Sequence, residues 1–225
     1  MNKVIYTAIF GDKDNLESIP KLKNYDYLVF TDNQELTSSD YKVVYCPEVY
    51  EDPTRNSRMY KVLSHEFLSG YEYSIWMDAN IKMGAVNVDA LFDCYLENHD
   101  IALLDHPYRN CIYDEANTCI EIGKDSPNVI KRQMDRYRAE GYPEKNGLVW
   151  TSILYRRHTP AIAKLNTYWW REIEAHSRRD QLSFNYVAWK YRCDYYAIKN
   201  HVTKQDIECF SICAHKKRED YRYWQ

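Results

Sequence analysis

The chain has 225 residues, 45% of them hydrophobic and only 6 glycines and 7 prolines, which suits a single globular domain over residues 1–225 and excludes extended disorder. A formal net charge of −3 gives no general attraction to nucleic acid, so no nucleic-acid partner is expected. No apolar run approaches the length of a transmembrane segment, and only peripheral contact with a membrane stays open. The start leads directly into a predicted strand, and the seven cysteines lack paired spacing, so we expect a cytoplasmic protein with reduced thiols.

The first part of the chain alternates β-rich and helical segments. Four short segments rich in β-branched and aromatic residues are predicted strands, namely 3–10, 25–31, 41–46 and 72–78. A helix is predicted between the third and the fourth strand, with Asp52 or Thr54 as its cap and Pro53 in its first turn. Its apolar positions recur at helical spacing as far as Phe67.

The second part continues with longer helices. A helix is predicted in 87–98, a strand in 100–106, a helix from Pro127, a strand in 147–158, a helix from Pro160 and a last helix in 179–191. Alternation of strands and helices favours an α/β fold with a mostly parallel central sheet flanked by helices. Ligands of such sheets bind outside the carboxyl ends of the strands.

The segment SIWMDANIKM, residues 74–83, ends a predicted strand with a carboxylate and a carboxamide two positions apart. If the chain stays extended, Asp78 and Asn80 point to the same side of it within about 7 Å of each other. Two oxygen ligands so placed suit a hard divalent cation that also takes phosphate oxygens. The alternative is a turn in which both side chains accept backbone N–H groups.

Basic side chains recur at helical spacing shortly before this segment. Arg58, Lys61 and His65 lie three and four positions apart, on one side of the predicted helix. Such a stripe is typical of a solvated helix surface, and the other interpretation is a phosphate-binding surface. A zinc site made of His201, Cys209, Cys213 and His215 was weighed and is disfavoured, because no short C-x-x-C pair is present.

Seven blocks of the sequence, in this order, resemble the glycosyltransferase-like family of plant mucilage and pectin biosynthesis and its bacterial relatives. The blocks are YTAIFGDKDNL, FTDN, RNSRMYKVLSHEFL, YEYSIWMDANIK, HPYRNCIYDEA, GLVWTSILYRRH and RRDQLSFNYV. The resemblance implies a GT-A (Rossmann-like) nucleotide-sugar transferase fold. It also implies transfer of a hexosyl or uronosyl group from a nucleoside diphosphate sugar, expected to be a UDP-sugar, to a saccharide or glycoconjugate acceptor in polysaccharide synthesis.

Two rival functions are kept. A nucleotidyltransferase of related fold would also use acidic and basic residues, but it typically needs a Gly-rich phosphate loop, and FGDKDN has a single glycine. A non-catalytic carbohydrate-binding domain would keep aromatic faces for sugars. Among the many aromatic residues, Trp150 and Trp170 are candidates for such stacking.

The resemblance assigns a donor site. Asp78-Ala79-Asn80 matches the position of the D-x-D motif of GT-A enzymes with its last acid replaced, which implies Mn²⁺ or Mg²⁺ held by Asp78 and Asn80, with His215 completing the shell. The other donor-binding residues that the resemblance implies are Thr7, Ala8, Phe10, Gly11, Asp32, Arg58, Lys61 and Lys216.

The resemblance also assigns the reaction centre. Asp180-Gln181 is similar to the Asp-Gln element of retaining GT-A transferases, so both residues are expected, with Asp78, to act at the donor sugar, and retention is expected. On helix propensity alone Asp180 is an N-cap. The acceptor side is assigned to His106, Arg109 and Glu115.

Overall fold

The computed structural model describes residues 2–84, 87–199 and 210–216. The strands are β1 (Lys3–Ile9), β2 (Tyr25–Thr31), β3 (Lys42–Tyr45), β4 (Tyr73–Met77), β5 (Ile81–Met83), β6 (Ile101–Asp105), β7 (Val149–Arg157), β8 (Tyr196–Ile198) and β9 (Phe210–Ile212). The helices are α1 (Pro53–Val62), α2 (Ser64–Phe67), α3 (Val88–Tyr95), α4 (Ile112–Glu121), α5 (Pro127–Ala139), α6 (Pro160–Ala175) and α7 (Gln181–Tyr191).

Seven strands form the central sheet in the order β3-β2-β1-β4-β7-β6-β8. Of these strands, as the structure describes them, only β7 runs against the others. The expected α/β fold with a mostly parallel, Rossmann-like sheet is therefore confirmed. Because β7 is antiparallel, its first residues lie at the same edge of the sheet as the carboxyl ends of β1 and β4. Strands β5 and β9 pair separately as a two-stranded sheet.

The sheet is buried on both faces, as expected for parallel strands. Along β1, Val4 and Tyr6 join the core on one face, whereas Ile5 and Ile9 join the core on the other. The first face packs against most of the helices, including α1 and α7, and the second packs against α3. Within the described residues, none of the helices is both long and apolar enough to cross a lipid bilayer.

Helix α1 is held by side chains at its first and its last turn. Asp52 is its N-cap and accepts a hydrogen bond from Thr54 N at 2.9 Å. At its other end the carbonyl of Lys61 accepts from Arg156 Nη1 at 2.7 Å and from Tyr6 Oη at 3.1 Å. A guanidinium at the carboxyl end of a helix also complements the helix dipole. Both ends of α1 are thus fixed by side chains.

The helix predicted to continue as far as Phe67 is interrupted at Leu63, where α1 ends and α2 begins. Helix α4 and the short strands β5, β8 and β9 were not predicted. The expected extended chain at Asp78-Ala79-Asn80 was wrong, because Ile81 N donates to Asp78 O at 2.8 Å and closes a turn there.

Gly11 allows α1 to approach the end of β1. Its φ of +65° is a left-handed conformation, and a Cβ at this position would lie 2.8 Å from Pro53 Cβ. Its N–H donates to Asp32 Oδ2 at 2.8 Å, which ties the ends of β1 and β2 together. A side chain at Gly11 would therefore push the first turn of α1 away from the sheet.

Gly11→Ala should lower the free energy of unfolding by more than the roughly 1–2 kcal/mol that a left-handed conformation costs a non-glycine residue, because the clash with Pro53 adds to that cost. Urea denaturation measures this. Gly141→Ala is the matched control for conformation alone, since Gly141 has a φ of +84° and no atom lies within 4 Å of its added Cβ. Gly70→Ala is the control without either effect, since no atom lies within 4 Å of its added Cβ. Equal losses for Gly11→Ala and Gly141→Ala would show that the contact with Pro53 does not matter.

Candidate active site

A cavity of about 300 Å³ opens where the carboxyl ends of β1 and β4 meet the first residues of α1, α7 and β7. Such an edge is where α/β sheets bind ligands. Its lining is rich in charged and hydroxyl side chains. The lining residues are Ala8, Ile9, Phe10, Lys13, Asp14, Pro53, Thr54, Ser57, Arg58, Asp78, Asn80, Ile81, Lys124, Trp150, Thr151, Ser152, Arg179, Asp180, Ile212 and His215.

Asp180 is a buried carboxylate on the wall of this cavity. It stands at the N-cap position of α7 but makes no capping hydrogen bond with its side chain. Its Oδ1 lies 3.0 Å from Arg58 Nε, and its Oδ2 lies 2.6 Å from Lys61 Nζ. Burial raises the pKa of Asp180, but the charges of Arg58 and Lys61 outweigh burial and hold that pKa well below its usual range. The N-cap interpretation was therefore wrong for the side chain, which forms a buried ion pair.

Asp78 shares the same two cations. Its Oδ1 lies 3.4 Å from both Arg58 Nη1 and Lys61 Nζ, and it accepts a hydrogen bond from Trp76 Nε1 at 2.8 Å. The Asp78 side chain keeps 25% of its surface exposed, whereas that of Asp180 keeps 2%. The chain does turn after Asp78, as the alternative interpretation expected, but the carboxylate of Asp78 is held by side-chain donors and not by backbone N–H groups. Asp78 thus presents a partly exposed oxyanion to the cavity.

The basic stripe on α1 is not a solvated surface. Lys61 is fully buried and the side chain of Arg58 is 14% exposed, because both face the two carboxylates. His65 leaves the stripe, since it lies in α2 beyond the break at Leu63. Two cations and two carboxylates make a cluster that is neutral overall. A lysine without solvent access is held in place more firmly than a surface lysine.

Other basic side chains surround the open part of the cavity. Lys13, Lys124, Arg179 and His215 line it, together with the hydroxyls of Thr54 and other residues. The N-terminus of α1, with the positive end of its dipole, points to the same space. These features together suit an anionic ligand with several oxygens, such as a diphosphate.

Metal-ligand candidates lie in this cavity as well. Asp78, Asn80 and His215 all line it. Asn80 Nδ2 donates to Cys213 O at 3.2 Å, which leaves the amide oxygen as an acceptor. His215 Nδ1 lies 2.5 Å from Asp14 Oδ1. No group of three His, Cys, Asp or Glu side chains that could hold a metal occurs within the described ranges, and His201 and Cys209 of the weighed zinc site lie outside them.

Several predicted donor residues stand behind the lining rather than in it. Ala8, Phe10, Arg58, Asp78 and Asn80 contact the cavity. Lys61, Thr7 and Ala79 are buried and do not line it, and Gln181, predicted for the reaction centre, is buried as well. Gly11 N–H donates to Asp32 Oδ2, and Lys216 Nζ lies 2.5 Å from Asp12 Oδ1. Five of the predicted donor residues therefore line the cavity, and the others do not.

The residues predicted for the acceptor form a cluster beside a second cavity. Glu115 Oε2 lies 2.6 Å from Arg109 Nε and 3.7 Å from His106 Nε2. His106 Nδ1 accepts the backbone N–H groups of Tyr108 and Arg109, so its proton is on Nε2, toward Glu115. Burial lowers the pKa of His106, so the ring is neutral at pH 7. Nδ1 is occupied by two backbone N–H groups and Nε2 carries the proton, so His106 fixes the loop and offers no free base.

Sequence analysis missed a bulge in β7. Leu103 pairs with Leu154, but the next residue, Leu104, pairs with Trp150, so Thr151, Ser152 and Ile153 have no partner in β6. Trp150 and Ser152 line both cavities. The other stacking candidate, Trp170, is buried and packs edge-on against Tyr50, away from both cavities.

The sheet and its cation-lined cavity define an α/β protein of Rossmann-like fold whose site suits an anionic, phosphate-bearing ligand. The sequence model of the family described as TOD1/MUCI70, glycosyltransferase-like domain, matches residues 1–219. The chain therefore belongs to this family, which confirms the resemblance seen in the sequence.

Two relatives from Arabidopsis thaliana are similar to the chain. "Probable hexosyltransferase MUCI70" is 26% identical over 148 residues, which cover 61% of this chain and 25% of the relative. "Alkaline ceramidase TOD1" is 24% identical over 222 residues, which cover 82% of this chain and 47% of the relative. The matches thus span a quarter to about half of the length of these relatives. The family and the hexosyltransferase relative support a glycosyltransferase in general terms.

Lys61→Met should lower the free energy of unfolding by about 3–5 kcal/mol, because it leaves Asp180 as an incompletely paired buried charge. In the Lys61→Met variant, Asp180→Asn should lower the free energy of unfolding by less than it does in the unaltered protein. The coupling energy of this double-mutant cycle, measured by urea denaturation, should exceed about 1 kcal/mol. The matched control is the exposed pair of Asp135 and Arg138, in Arg138→Met and Asp135→Asn. Coupling no larger than in that control pair would contradict a structural role for the buried pair.

Proposed function

We propose that the protein is a glycosyltransferase of GT-A type that transfers a hexosyl or uronosyl group, from a UDP-sugar in the first instance, to a hydroxyl of a saccharide or glycoconjugate. The observation that carries this proposal is the shared use of Arg58 and Lys61 by Asp78 and Asp180 on one wall of a cation-lined cavity. It joins the aspartate of the altered D-x-D motif to that of the Asp-Gln element. Membership of a glycosyltransferase-like family supports the reaction class.

The donor diphosphate would lie at the first turn of α1, among Lys13, Arg58, Lys124 and Arg179. The acceptor oxygen forms a bond to the anomeric carbon while the bond from that carbon to the β-phosphate oxygen breaks, and its electron pair leaves with the diphosphate. In a retaining reaction the proton of the acceptor hydroxyl passes to the departing phosphate oxygen. Negative charge therefore grows on the diphosphate, where fixed cations lower the barrier most.

The two aspartates would have different tasks. Asp180 is buried and engaged by two cations, so it positions Arg58 and Lys61 toward the donor. Asp78 is partly exposed and would contact the donor sugar or diphosphate. Gln181, which is buried beneath the cavity, would support Asp180 from the first turn of α7. Retention is proposed because neither predicted acceptor-side group offers a free base: His106 Nδ1 accepts two backbone N–H groups, and Glu115 pairs with Arg109.

The types of side chain in the cavity suit a divalent cation. The Asp78 carboxylate, the Asn80 amide oxygen and the His215 imidazole line one cavity, and phosphate oxygens of the donor would complete the shell. When bound, Mn²⁺ or Mg²⁺ would neutralise charge on the diphosphate. Because Arg58 and Lys61 are already balanced by the two aspartates, the protein's own positive charge toward the diphosphate would come from Lys13, Lys124 and Arg179 of the lining.

The central test is incubation with UDP-, GDP- and dTDP-sugars, with and without Mn²⁺, while released nucleoside diphosphate is measured. Release of UDP from a UDP-sugar is expected. Turnover of nucleoside triphosphates only would favour a nucleotidyltransferase, and no turnover of any donor would favour a carbohydrate-binding domain. Because one relative is named an alkaline ceramidase, ceramide hydrolysis is a further rival function. It is tested in parallel by measuring the release of fatty acid from ceramide.

Asp78→Asn should lower the rate of nucleoside diphosphate release by at least about 100-fold, because it removes the partly exposed charge that orients the donor and balances Arg58 and Lys61. Circular dichroism should show an unchanged fold. Asp135→Asn is the matched control, since Asp135 is largely exposed on α5 and does not line the cavity. Unchanged turnover in Asp78→Asn would contradict the role proposed for this aspartate.

Asn80→Ala should raise the Mn²⁺ concentration needed for half-saturation by about tenfold or more in the presence of UDP, because an oxygen ligand is lost. Bound Mn²⁺ is followed by electron paramagnetic resonance, which does not depend on turnover. Asn2→Ala serves as the matched control, because Asn2 is exposed and bonds only Gly70 O with its side chain among the described contacts. Identical Mn²⁺ titrations for both variants would remove Asn80 from the metal shell.

A further inference from the structure

A second cavity, of about 480 Å³, adjoins the first at the bulge of β7. The two cavities share Ile81, Trp150, Ser152 and Ile212 as walls. The volume lies within the range of small-molecule sites, about 300–1,000 Å³. Its other walls include Leu104, Tyr108, Ile153, Ile198 and Phe210.

The walls of this second cavity are mainly aliphatic and aromatic. Leu104, Ile153 and Ile198 are buried, and Phe210 closes one side from β9. The polar side chains at its rim, His106 and Arg109, already bond Glu115 or their own loop. A sugar ring needs a polar partner for each buried hydroxyl, and this cavity offers few. Its chemistry therefore suits an apolar group of the ligand.

At the junction of the two cavities lies the hydroxyl group of Ser152, which, unlike the side chains of His106 and Arg109, lacks a hydrogen-bond partner among the described residues. Ser152 is 4% exposed, and its Oγ has no hydrogen-bond partner within the part of the chain that the structure describes. The bulge of β7 removes Ser152 from the pairing with β6. A buried hydroxyl without a partner is unfavourable unless a ligand or water bonds it. Ser152 therefore marks the point where a ligand hydroxyl is expected.

We propose that the acceptor is an amphipathic glycoside whose apolar aglycone fills the second cavity. Its nucleophilic hydroxyl then lies at the junction, bonded by Ser152 Oγ and facing the donor in the first cavity. This inference rests on the proposed glycosyltransferase function and names the class of its acceptor. An acceptor with an alkyl or aryl aglycone is recognised by the walls of the second cavity, whereas a purely polar oligosaccharide leaves those walls without a partner.

Matched glycosides test this directly. Methyl and n-octyl glycosides of glucose, galactose and mannose, below the micelle concentration, are titrated into the UDP-saturated protein by calorimetry. Each octyl glycoside should bind at least about tenfold more tightly than the methyl glycoside of the same sugar, because its longer alkyl chain moves from water to the apolar walls. Phenyl glycosides distinguish an aryl from an alkyl preference. Equal affinity of methyl, phenyl and octyl glycosides would overturn the proposal.

Two variants of exposed tyrosines test whether the octyl glycoside binds in the second cavity. Tyr108 is 85% exposed and lines only the second cavity of the two, so Tyr108→Asp should weaken octyl glycoside binding about threefold or more by placing a charge at the apolar rim. Tyr45→Asp, at a tyrosine that is 50% exposed on β3, should leave the affinity unchanged. Equal effects of the two variants would show non-specific binding and overturn the proposal.

Ser152→Ala supplies the readout at the junction. It should lower the kcat of transfer to an octyl glycoside about tenfold, because the hydroxyl that orients the acceptor is lost. Unchanged kcat would overturn the role of Ser152. Failure of the proposed function would appear separately, as absent UDP binding and absent release of UDP from UDP-sugars by the unaltered protein.

Discussion

The site depends on two cations that two carboxylates share. Lys61 and Arg58 each contact both Asp78 and Asp180, and three of these four side chains are largely removed from water. Buried charges are stable only when they are paired, so removal of any member leaves a buried charge without balance. The cluster therefore fixes the relative positions of α1, the end of β4 and the start of α7. The cavity has its shape because these three elements are held together by charge.

The backbone around Lys61 explains how one side chain serves this purpose. Its carbonyl is held by Arg156 from β7 and by Tyr6 from β1, while its ammonium group reaches Asp180. A lysine side chain is flexible, and its freedom is costly to restrict. Here the restriction comes from packing beneath the sheet edge, against Trp76 and the first strands. The buried ammonium group of Lys61 thus holds the carboxylates of Asp78 and Asp180 in place before a ligand binds, and such pre-organisation favours binding.

Sequence patterns predicted most of the sheet, because its strands are uniformly apolar and lie between turn residues. The segment 25–31 was predicted with its observed bounds, and the helix starts at Pro53, Pro127 and Pro160 were also correct. Helix α4 was missed, as were the three-residue strands β5, β8 and β9, which are too short to show a period. The break at Leu63 was missed too, since apolar spacing continues through it.

The candidate site was predictable in its members but not in its contacts. Spacing on α1 placed Arg58 and Lys61 on one side, yet it could not show that this side is buried, because Asp180 comes from the far end of the sequence. The bulge at Ser152 depends on how β7 pairs with β6, which no local pattern encodes. Family resemblance singled out the two aspartates, and the structure shows that they share the same two cations.

The reversed direction of β7 has a consequence for how such a protein diversifies. A parallel strand would bring its last residues to the binding edge, but β7 brings its first, so the segment just before Val149 approaches that edge as well. Trp150 and Ser152 of β7 line both cavities, whereas residues of β1 and α1 and the residue after β4 line only the first. Changes in the first part of β7 therefore alter the second cavity and its border with the first, while most of the first cavity keeps its walls. The reversed direction of one strand thus lets the two cavities change separately.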